Sequence, residues 1–260
     1  MTPPPPPPQV RRGVGRAADL LRSARRAVAL TGAGLSTASG IPDFRSAGTG
    51  LWERLDPMAV ASLTSFRYNP DAFFGFLRPL ASQIALAVPN AAHQALARLE
   101  QAGRLVGVIT QNIDQLHQKA GSRRVLEVHG NVRRATCIVC YREVEAGPYL
   151  DQFIRDGAIP RCPGCGGVLK PNVILFGEQL PEKSWQQAQA ACRSCDLMLV
   201  AGSSLEVLPV AKLPMLALDR GAHVIIVNQA PTYLNVRADV AIMGDVASVM
   251  PAIAEQVLHA

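Results

Sequence analysis

The sequence has no long uncharged apolar run, no recognisable secretory leader and very little lysine. None of its apolar stretches approaches the roughly 20 residues of a membrane-spanning helix, which predicts a soluble protein with no membrane partner. Arg11 and Arg12 are not followed by an apolar segment, so a secretory signal is not expected. Only 4 of the 26 basic residues are lysines, a bias that reflects genome composition as much as function. The six cysteines are expected to remain thiols, which favours a reducing compartment and hence a cytoplasmic location.

The formal net charge of +6 is concentrated at the start of the chain. Residues 1–30 contain six arginines and one acidic residue, Asp19, which leaves 20 basic and 19 acidic residues in 31–260. A near-neutral body does not predict a nucleic-acid groove, so no specific nucleic-acid partner is expected. The basic start could still add weak, salt-dependent contacts with DNA.

A run of six prolines occupies residues 3–8. Because such a run favours an extended conformation and cannot form a core, residues 1–15 are predicted to be a disordered tail. The following segment, 16–26, has the apolar spacing of an amphipathic helix, with Leu20, Leu21 and Ala24 on its inner face.

The most informative stretch is 27–45. Residues 27–30 are predicted to form a buried strand, and Gly32 and Gly34 follow it where the backbone turns tightly and can approach a ligand. A strand, a glycine-rich turn and a helix N-terminus form an anion site, typically for a diphosphate. The glycines at 32, 34 and 40 do not match the plain dinucleotide fingerprint, but the proline-stiffened segment 41–45 adds an acid, an aromatic ring and a guanidinium. This composition is typical of a functional loop.

Residues 46–89 are predicted to form a helical insertion beside this turn. Their helical pattern is interrupted by three prolines and contains no strand signal. The aromatic side chains of this segment could form a core or line a hydrophobic pocket, and the sequence favours neither alternative. They are Trp52, Phe66, Tyr68, Phe73, Phe74 and Phe76.

The remainder alternates buried strands with helices, which predicts a doubly wound, parallel, Rossmann-like α/β sheet of six strands. Polar residues follow the strands, at the sheet edge where such folds bind ligands. They are Gln111, Asn112 and Asp114 after strand 105–110, His129 after 125–128, Gly202, Ser203 and Ser204 after 197–201, Asn228 ending 224–228, and Asp245 after 238–243. Another strand is predicted within 170–178. His129 is expected to be exposed, and no other residue of its region has a reference pKa near neutrality, as a general base needs.

Four cysteines form the sharpest single motif. Cys137 and Cys140 make one Cys-x-x-Cys pair, Cys162 and Cys165 make a second, and 21 residues separate the two pairs. Four thiolates at this spacing predict one structural zinc ion with no open coordination position. A third pair, Cys192 and Cys195, has no glycine turn beside it and is interpreted as buried or incidental thiols.

These patterns together predict four parts. The Rossmann-like domain would comprise 16–45, 90–131 and 171–260, with the helical insertion at 46–89, the zinc module at 132–170 and the tail at 1–15.

The order of the motifs resembles that of the sirtuins, NAD-dependent protein-lysine deacylases. The matching segments are Gly-Ala-Gly-x-Ser-Thr-x-Ser-Gly-Ile-Pro-Asp-Phe-Arg at 32–45, Thr-Gln-Asn-Ile-Asp at 110–114, His-Gly-Asn at 129–131, the four zinc cysteines, Phe-Gly-Glu at 176–178, Gly-Ser-Ser-Leu at 202–205, and Asn228. The resemblance extends from about residue 20 to the C-terminus, and the combination is far more specific than any one motif.

The resemblance implies that NAD binds across the carboxyl ends of the strands. The diphosphate would lie on the turn at Gly32, Ala33 and Gly34, and Asn228 would hold the adenosine ribose. The full set of implied NAD contacts is Gly32, Ala33, Gly34, Ser36, Thr37, Asp43, Phe44, Arg45, Gln111, Asn112, Asp114, Gly202, Ser203, Ser204, Asn228 and Asp245.

The same resemblance implies the chemistry. The acyl-lysine carbonyl oxygen captures the nicotinamide ribose, His129 acts as general base on the ribose hydroxyls, and Gln111 and Asn112 orient that ribose. The products are nicotinamide, free lysine and O-acyl-ADP-ribose. An acyl-lysine peptide would add as a strand between two segments, with contacts at Val173, Phe176, Gly177, Glu178, Leu205, Glu206 and Val207.

Acyl preference depends on the helical insertion. Sirtuins that prefer succinyl or malonyl lysine resemble one another in a Tyr-x-x-Arg pair, and here Leu77 and Leu80 occupy the two positions, with Arg78 between them. An apolar pocket of this kind favours acetyl or longer apolar acyl groups. Two alternatives stay open from the sequence: a protein ADP-ribosyltransferase on the same scaffold, and a non-catalytic NAD-sensing or DNA-binding zinc module.

Overall fold

The structure, a computed structural model, describes residues 7–259. The first helix, α1 (Pro8–Ser23), starts well before the predicted position at residue 16, so residues 8–15 are helical and do not belong to a tail. Val14 and Leu21 lie buried on its inner face, and their packing against the last helix of the chain explains the longer element. The prediction for residues 1–6 lies outside the described residues.

The main sheet contains six parallel strands in the order β3-β2-β1-β7-β8-β9. The predicted doubly wound fold is therefore confirmed, and all the polar loop segments that follow the strands meet at one edge. The strands of this sheet are β1 (Ala27–Thr31), β2 (Gly107–Thr110), β3 (Val125–Glu127), β7 (Leu197–Ala201), β8 (His223–Asn228) and β9 (Val240–Met243).

Two helical layers cover the sheet. Helix α1 packs with α5 (Ala91–Gln101) and α10 (Val246–Leu258) on one face, and α8 (Glu182–Ser194) packs with α9 (Leu213–Leu218) on the other. The strand residues alternate between the two cores, so that both faces of β1 and β7 are buried and the strands are almost wholly apolar. A short helix, α6 (Leu116–Lys119), follows β2.

The zinc module contains a second, three-stranded antiparallel sheet in the order β5-β4-β6. Its strands are β4 (Gly130–Cys137), β5 (Glu143–Glu145) and β6 (Leu169–Val173), and helix α7 (Gly147–Asp156) packs beside β4. The predicted strand at 170–178 is thus wrong in two respects. Only its beginning is a strand, and it belongs to this sheet because its partner is the antiparallel β4 rather than a strand of the parallel sheet.

The helical insertion is made of α2 (Pro57–Val60), α3 (Leu63–Tyr68) and α4 (Pro70–Leu86). Its aromatic residues serve both of the predicted roles. Phe66, Phe73 and Phe74 belong to the core with Phe153 of α7, Phe73 also lines a cavity together with Trp52 and Phe76, and Tyr68 is exposed. Within the described chain no single helix is long and apolar enough to cross a membrane, although α4 and α5 together pass by length and composition as a bent pair.

Candidate active site

A cavity of about 760 Å³ opens at the carboxyl edge of the parallel sheet, between that sheet, the helical insertion and the zinc module. Fifteen of the sixteen residues predicted to contact NAD line it, together with His129. The exception is Asp245, which caps α10 by accepting a hydrogen bond from the Ala247 amide and does not line the cavity.

The floor of the cavity is formed by two glycine-containing turns in contact. A Cβ on Gly32 would lie 2.8 Å from the Gly202 carbonyl oxygen, and one on Gly202, whose φ is +64°, would lie 2.3 Å from the Leu35 amide nitrogen. The amides of Gly32 and Gly34 donate to the carbonyls of Ala201 and Gly202. The glycines therefore permit one turn to approach the other, and short 3₁₀ turns stand where a helix N-terminus was expected.

A buried hydrogen-bond network lies beside this floor. Asn112 donates from Nδ2 to the Gly32 carbonyl at 3.1 Å and to Ser36 Oγ at 3.0 Å. Ser36 in turn donates to Asp114 Oδ2 at 2.6 Å, and the other Asp114 oxygen accepts the Leu116 amide. Each side chain is fixed by its neighbours, so the loop after β2 presents them to the cavity in one arrangement.

His129 is half-buried, not exposed as the sequence suggested, because β4 and the loop after β6 pack against its backbone. Its Nδ1 lies 3.2 Å from the Gln111 carbonyl oxygen. Since a carbonyl only accepts, Nδ1 carries the proton, and the neutral ring keeps its lone pair on Nε2. Gln111 donates from its own side chain to Ser203 Oγ at 2.9 Å, so this residue connects the loops after β2 and β7.

Burial lowers the pKa of His129 to about 4. The hydrogen bond to the Gln111 carbonyl opposes this shift, while the nearby positive charge of Arg45 adds to it. The imidazole is therefore neutral at pH 7, as a group that removes a proton must be.

The loop after the glycine turn carries Asp43, Phe44 and Arg45. The Asp43 carboxylate accepts the amides of Arg45 and Ser46, which shapes the loop locally. Phe44 stacks on Trp52 at a centroid distance of 5.1 Å. The Arg45 guanidinium reaches Glu206 at 3.3 Å, so the loop contacts the segment after β7 across the cavity mouth.

One wall of the cavity is apolar and comes from α4. Leu77 and Leu80 are both buried and line the cavity, and Ile84, one helical turn further on, continues the same face. Arg78 points away from it, since its guanidinium donates to the carbonyls of Ile154 and Arg155. Ile84 was absent from the sequence prediction, although its helical spacing from Leu77 and Leu80 would have revealed it.

The predicted peptide-contact residues lie on the two lips of the cavity. Val173, Phe176, Gly177 and Glu178 form one lip, and Glu206 and Val207 lie on the other. Leu205 is buried in the core beneath the second lip and does not line the cavity, because its left-handed backbone conformation (φ 57°) turns the side chain inward.

Asn228 lies at the end of β8 and lines the cavity. Its side-chain amide donates to the Ala230 carbonyl at 2.8 Å, which holds the following turn. The three residues after it also line the cavity. Sequence reasoning missed them, since their apolar and amide side chains carry no catalytic signal: Gln229, Ala230 and Pro231.

The four predicted zinc ligands converge at the tip of the second sheet. Their sulfurs all lie within 4.8 Å of one another, with Cys137 and Cys165 at 3.4 Å and Cys140 and Cys162 at 3.7 Å. Four sulfurs at about 2.3 Å from a tetrahedral ion would be separated by about 3.8 Å, so the cluster fits one zinc ion. Cys192 and Cys195 are buried in the core of the parallel sheet, apart from this cluster.

Two further histidines, His93 and His117, are buried beneath the Asp114 loop with their ring centroids 5.1 Å apart. His117 Nε2 lies 2.9 Å from Thr31 Oγ1, whereas neither nitrogen of His93 has a partner within the described residues. Burial lowers the pKa of His93 to about 4, against the attraction of Asp114, and that of His117 to about 3, helped by His93. Both rings are therefore neutral in the folded protein.

This pair predicts a loss of stability in mild acid. Because the unfolded chain takes up protons at its ordinary histidine pKa of about 6.5 and the folded chain does not, stability is full above that pH and falls below it. Between pH 6.5 and 4, each histidine that is protonated only in the unfolded chain lowers the free energy of unfolding by about 1.4 kcal/mol for each pH unit. Denaturant unfolding of the protein and of His93→Phe measures the slope. An equal slope in both proteins would contradict the assignment to His93.

A parallel sheet with its cavity at the carboxyl edge, a neutral histidine in that cavity and a zinc module beside it define a nucleotide-binding α/β enzyme. The family model described as "Sir2 family" matches residues 32–209. The chain belongs to the Sir2 family.

Curated relatives are similar in sequence to this chain over most of their length. The chain is 45% identical to "NAD-dependent protein deacylase 2" of Archaeoglobus fulgidus, over 94% of this chain and 96% of the relative. It is 44% identical to "NAD-dependent protein deacetylase 2" of Caldanaerobacter subterraneus subsp. tengcongensis, over 87% of this chain and 89% of the relative.

Solved structures share the architecture. A structure of a Sir2 enzyme concerned with mechanism and regulation has a TM-score of 0.91 at 44% identity and covers 96% of this chain and 99% of its own. The structure of Sir2Af2 bound to a myristoylated histone peptide has a TM-score of 0.83 at 39% identity, and the match covers 96% of this chain and 98% of that one. The ADP-ribose complex of a Sir2 homologue variant has a TM-score of 0.86 at 35% identity, and the match covers 93% of this chain and 95% of that one.

Proposed function

We propose that this protein removes acetyl or longer apolar acyl groups from protein lysines, with NAD as co-substrate, and releases nicotinamide and O-acyl-ADP-ribose. NAD-dependent protein deacylation is the activity in the names of its curated relatives, and Sir2 structures similar to it hold ADP-ribose or acylated peptides. Within the chain itself, the observation that carries the proposal is His129, a neutral imidazole in the cavity with its proton fixed on Nδ1.

The cavity residues fit a dinucleotide. Because Gly32, Gly34 and Gly202 have no side chains, backbone groups line the floor, and Thr37, Ser203 and Ser204 add hydroxyl groups to the cavity lining. When bound, NAD supplies an electrophilic ribose carbon and nicotinamide as the leaving group. Small hydroxyl and backbone groups suit the diphosphate and the riboses, and the guanidinium of Arg45 adds a positive charge at the cavity mouth.

Four side chains have distinct tasks at the reacting end. Asn112, held by Gly32 and Ser36, orients the ribose next to the nicotinamide, and Gln111, held by Ser203, helps to orient the same group. His129 accepts a proton from a ribose hydroxyl at Nε2. Asp114 is held by Ser36 and the Leu116 amide and places negative charge beside the nicotinamide.

The acyl chain occupies the apolar wall of α4. Leu77, Leu80 and Ile84 give this wall no hydrogen-bond donor and no positive charge, and Arg78 is engaged elsewhere. A succinyl or malonyl carboxylate would lose its hydration there without a partner, which costs binding energy. Acetyl, butyryl and longer apolar chains are therefore the preferred substrates.

The test measures nicotinamide release from NAD with and without acetyl-, butyryl-, myristoyl- and succinyl-lysine peptides. We expect release that depends on the acyl peptide, equimolar deacylated product, and the slowest turnover with succinyl-lysine. Consumption of NAD with ADP-ribose attached to protein and no deacylated peptide would favour the ADP-ribosyltransferase alternative. Binding of NAD without turnover would favour a non-catalytic sensor.

Replacement of Leu80 by Arg is expected to weaken the preference for apolar acyl groups over succinyl. The guanidinium would enter the apolar wall and lower kcat/KM for butyryl-lysine by about 10–100-fold, since an unpaired polar group there costs about 1–3 kcal/mol. The loss for succinyl-lysine should be smaller, because that substrate offers a carboxylate partner. Leu86→Arg, at an exposed position of the same helix, is the matched control. Equal losses for both peptides would refute the pocket assignment.

We also place the protein in the cytoplasm. All six cysteines are free thiols, and four of them form a cluster suited to zinc rather than to disulfides. Such thiols persist in a reducing compartment.

A further inference from the structure

Lys170 is the only lysine or arginine within residues 7–259 that is buried. It lies on β6, three residues before the strand ends at the cavity lip. Its ammonium donates to the carbonyl of Val173 at 2.8 Å, to that of Pro171 at 3.2 Å, and to Glu178 Oε2 at 2.9 Å. All three of its protons therefore have an acceptor.

The ion-pair partner of Lys170, Glu178, fixes the conformation of the cavity lip at 175–178. The oxygen that receives Lys170 also accepts the Leu175 amide at 3.0 Å, so one carboxylate ties the two ends of the segment 175–178 together. Glu178 also donates its own amide to the Leu175 carbonyl at 3.0 Å. The turn at Gly177, which has φ +81°, is consequently held from both sides.

The peptide unit between Val173 and Ile174 is held at both of its polar ends. Its carbonyl oxygen accepts from Lys170, and its N–H, on Ile174, donates to the carbonyl of His129 at 2.9 Å. A single planar group thus connects the buried ammonium with the backbone of the catalytic histidine. Because a peptide unit is rigid, displacement of one end moves the other.

We propose that Lys170 is a positioning residue that holds the lip offered to the acyl peptide and the backbone of His129 as one rigid unit. The inference rests on the proposed deacylase function. Burial lowers the pKa of Lys170, while the Glu178 carboxylate opposes that shift and favours the charged form. Loss of the ammonium would leave buried carbonyl groups without donors and release the lip from the histidine.

The test compares Lys170→Met and Lys170→Arg with Lys183→Met, at an exposed lysine of α8, as control. We expect Lys170→Met to raise the KM for an acetyl-lysine peptide about tenfold and to lower kcat, while the Kd for ADP-ribose stays within twofold. The charged Lys170→Arg should remain within threefold of wild type. In Lys170→Met the acidic limb of kcat/KM should move toward pH 6.5, because a displaced His129 is better hydrated.

Three results would overturn the proposal. They are an unchanged peptide KM in Lys170→Met, the same rise in Lys183→Met, and a parallel loss of ADP-ribose affinity, which would indicate general damage. If Lys170→Met does not fold, Glu178→Gln takes its place, with an expected threefold rise in peptide KM and no rise as the contrary result. If wild type does not deacylate, the proposed function fails. Binding of a fluorescent acetyl-lysine peptide with ADP-ribose present then still tests the role of Lys170.

Discussion

Replacing His129 by Ala is expected to lower kcat/KM for the acyl peptide by about 10²–10⁴-fold, the usual contribution of a general base. The loss follows from removal of the Nε2 lone pair, which the Gln111 carbonyl keeps free by binding the proton on Nδ1. ADP-ribose affinity should change less than threefold, since the glycine turns and the Asn112 network do not depend on the imidazole. Activity and calorimetric binding measure the two effects. His259→Ala, at an exposed histidine, is the control.

The pH profile of the wild-type enzyme tests the same assignment. Because burial lowers the pKa of His129 to about 4, the base stays unprotonated, and kcat/KM should be level from pH 8 to about 5. The rate then falls as the pH approaches that pKa and the imidazole gains a proton. An acidic limb near pH 6.5 in protein that is still folded would show that His129 is hydrated during turnover.

Removal of zinc is expected to unfold the zinc module and to abolish most of the activity. Structural zinc contributes about 10–16 kcal/mol in small zinc-binding peptides, and the three short strands around the four sulfurs have little other core. The effect should reach the cavity, because β4 begins at Gly130, next to His129, and pairs there with Val173. Strong chelation should therefore lower activity at least tenfold and abolish the protection of the β4, β5 and β6 amides against hydrogen exchange.

Cysteine variants distinguish the zinc ligands from the other thiols. Cys162→Ala should bind no zinc and behave like the chelated protein, whereas Cys192→Ala should retain one zinc ion per chain, since Cys192 is buried in the sheet core. Metal analysis of the two purified proteins measures this difference. Full zinc content in Cys162→Ala would contradict the ligand assignment.

Much of the architecture was predictable because its signals are local. Apolar runs that end in glycine or polar residues marked all six parallel strands and their common ligand edge, and the paired cysteines marked the zinc cluster. Helix α1 starts earlier than the sequence predicts because the proline run favours an extended segment, while Pro8, its last member, is tolerated at the first helical position. The pairing of β6 was missed because parallel and antiparallel partners cannot be distinguished in an isolated apolar segment.

The site divides in the same way. Its polar residues follow strands and could be named from the sequence, although their roles in NAD and peptide binding remain predictions. The Lys170 contacts could not be anticipated, since they involve the carbonyls of an irregular segment. Asp245 does not line the cavity, because an acid after a strand also suits a helix N-cap and α10 uses it in that way, so its contact with NAD stays a prediction.

The contact between the Gly32 and Gly202 turns has a consequence for how the protein acquires its activity. The two turns follow β1 and β7, which are neighbours in the sheet but lie far apart in the sequence. The cavity floor, which is made by the contact between the turns, therefore forms only when both strands have docked. A nascent chain without β7 therefore lacks the proposed dinucleotide site. Bound dinucleotide can stabilise only the docked arrangement, which links the assembly of the sheet to the supply of its co-substrate.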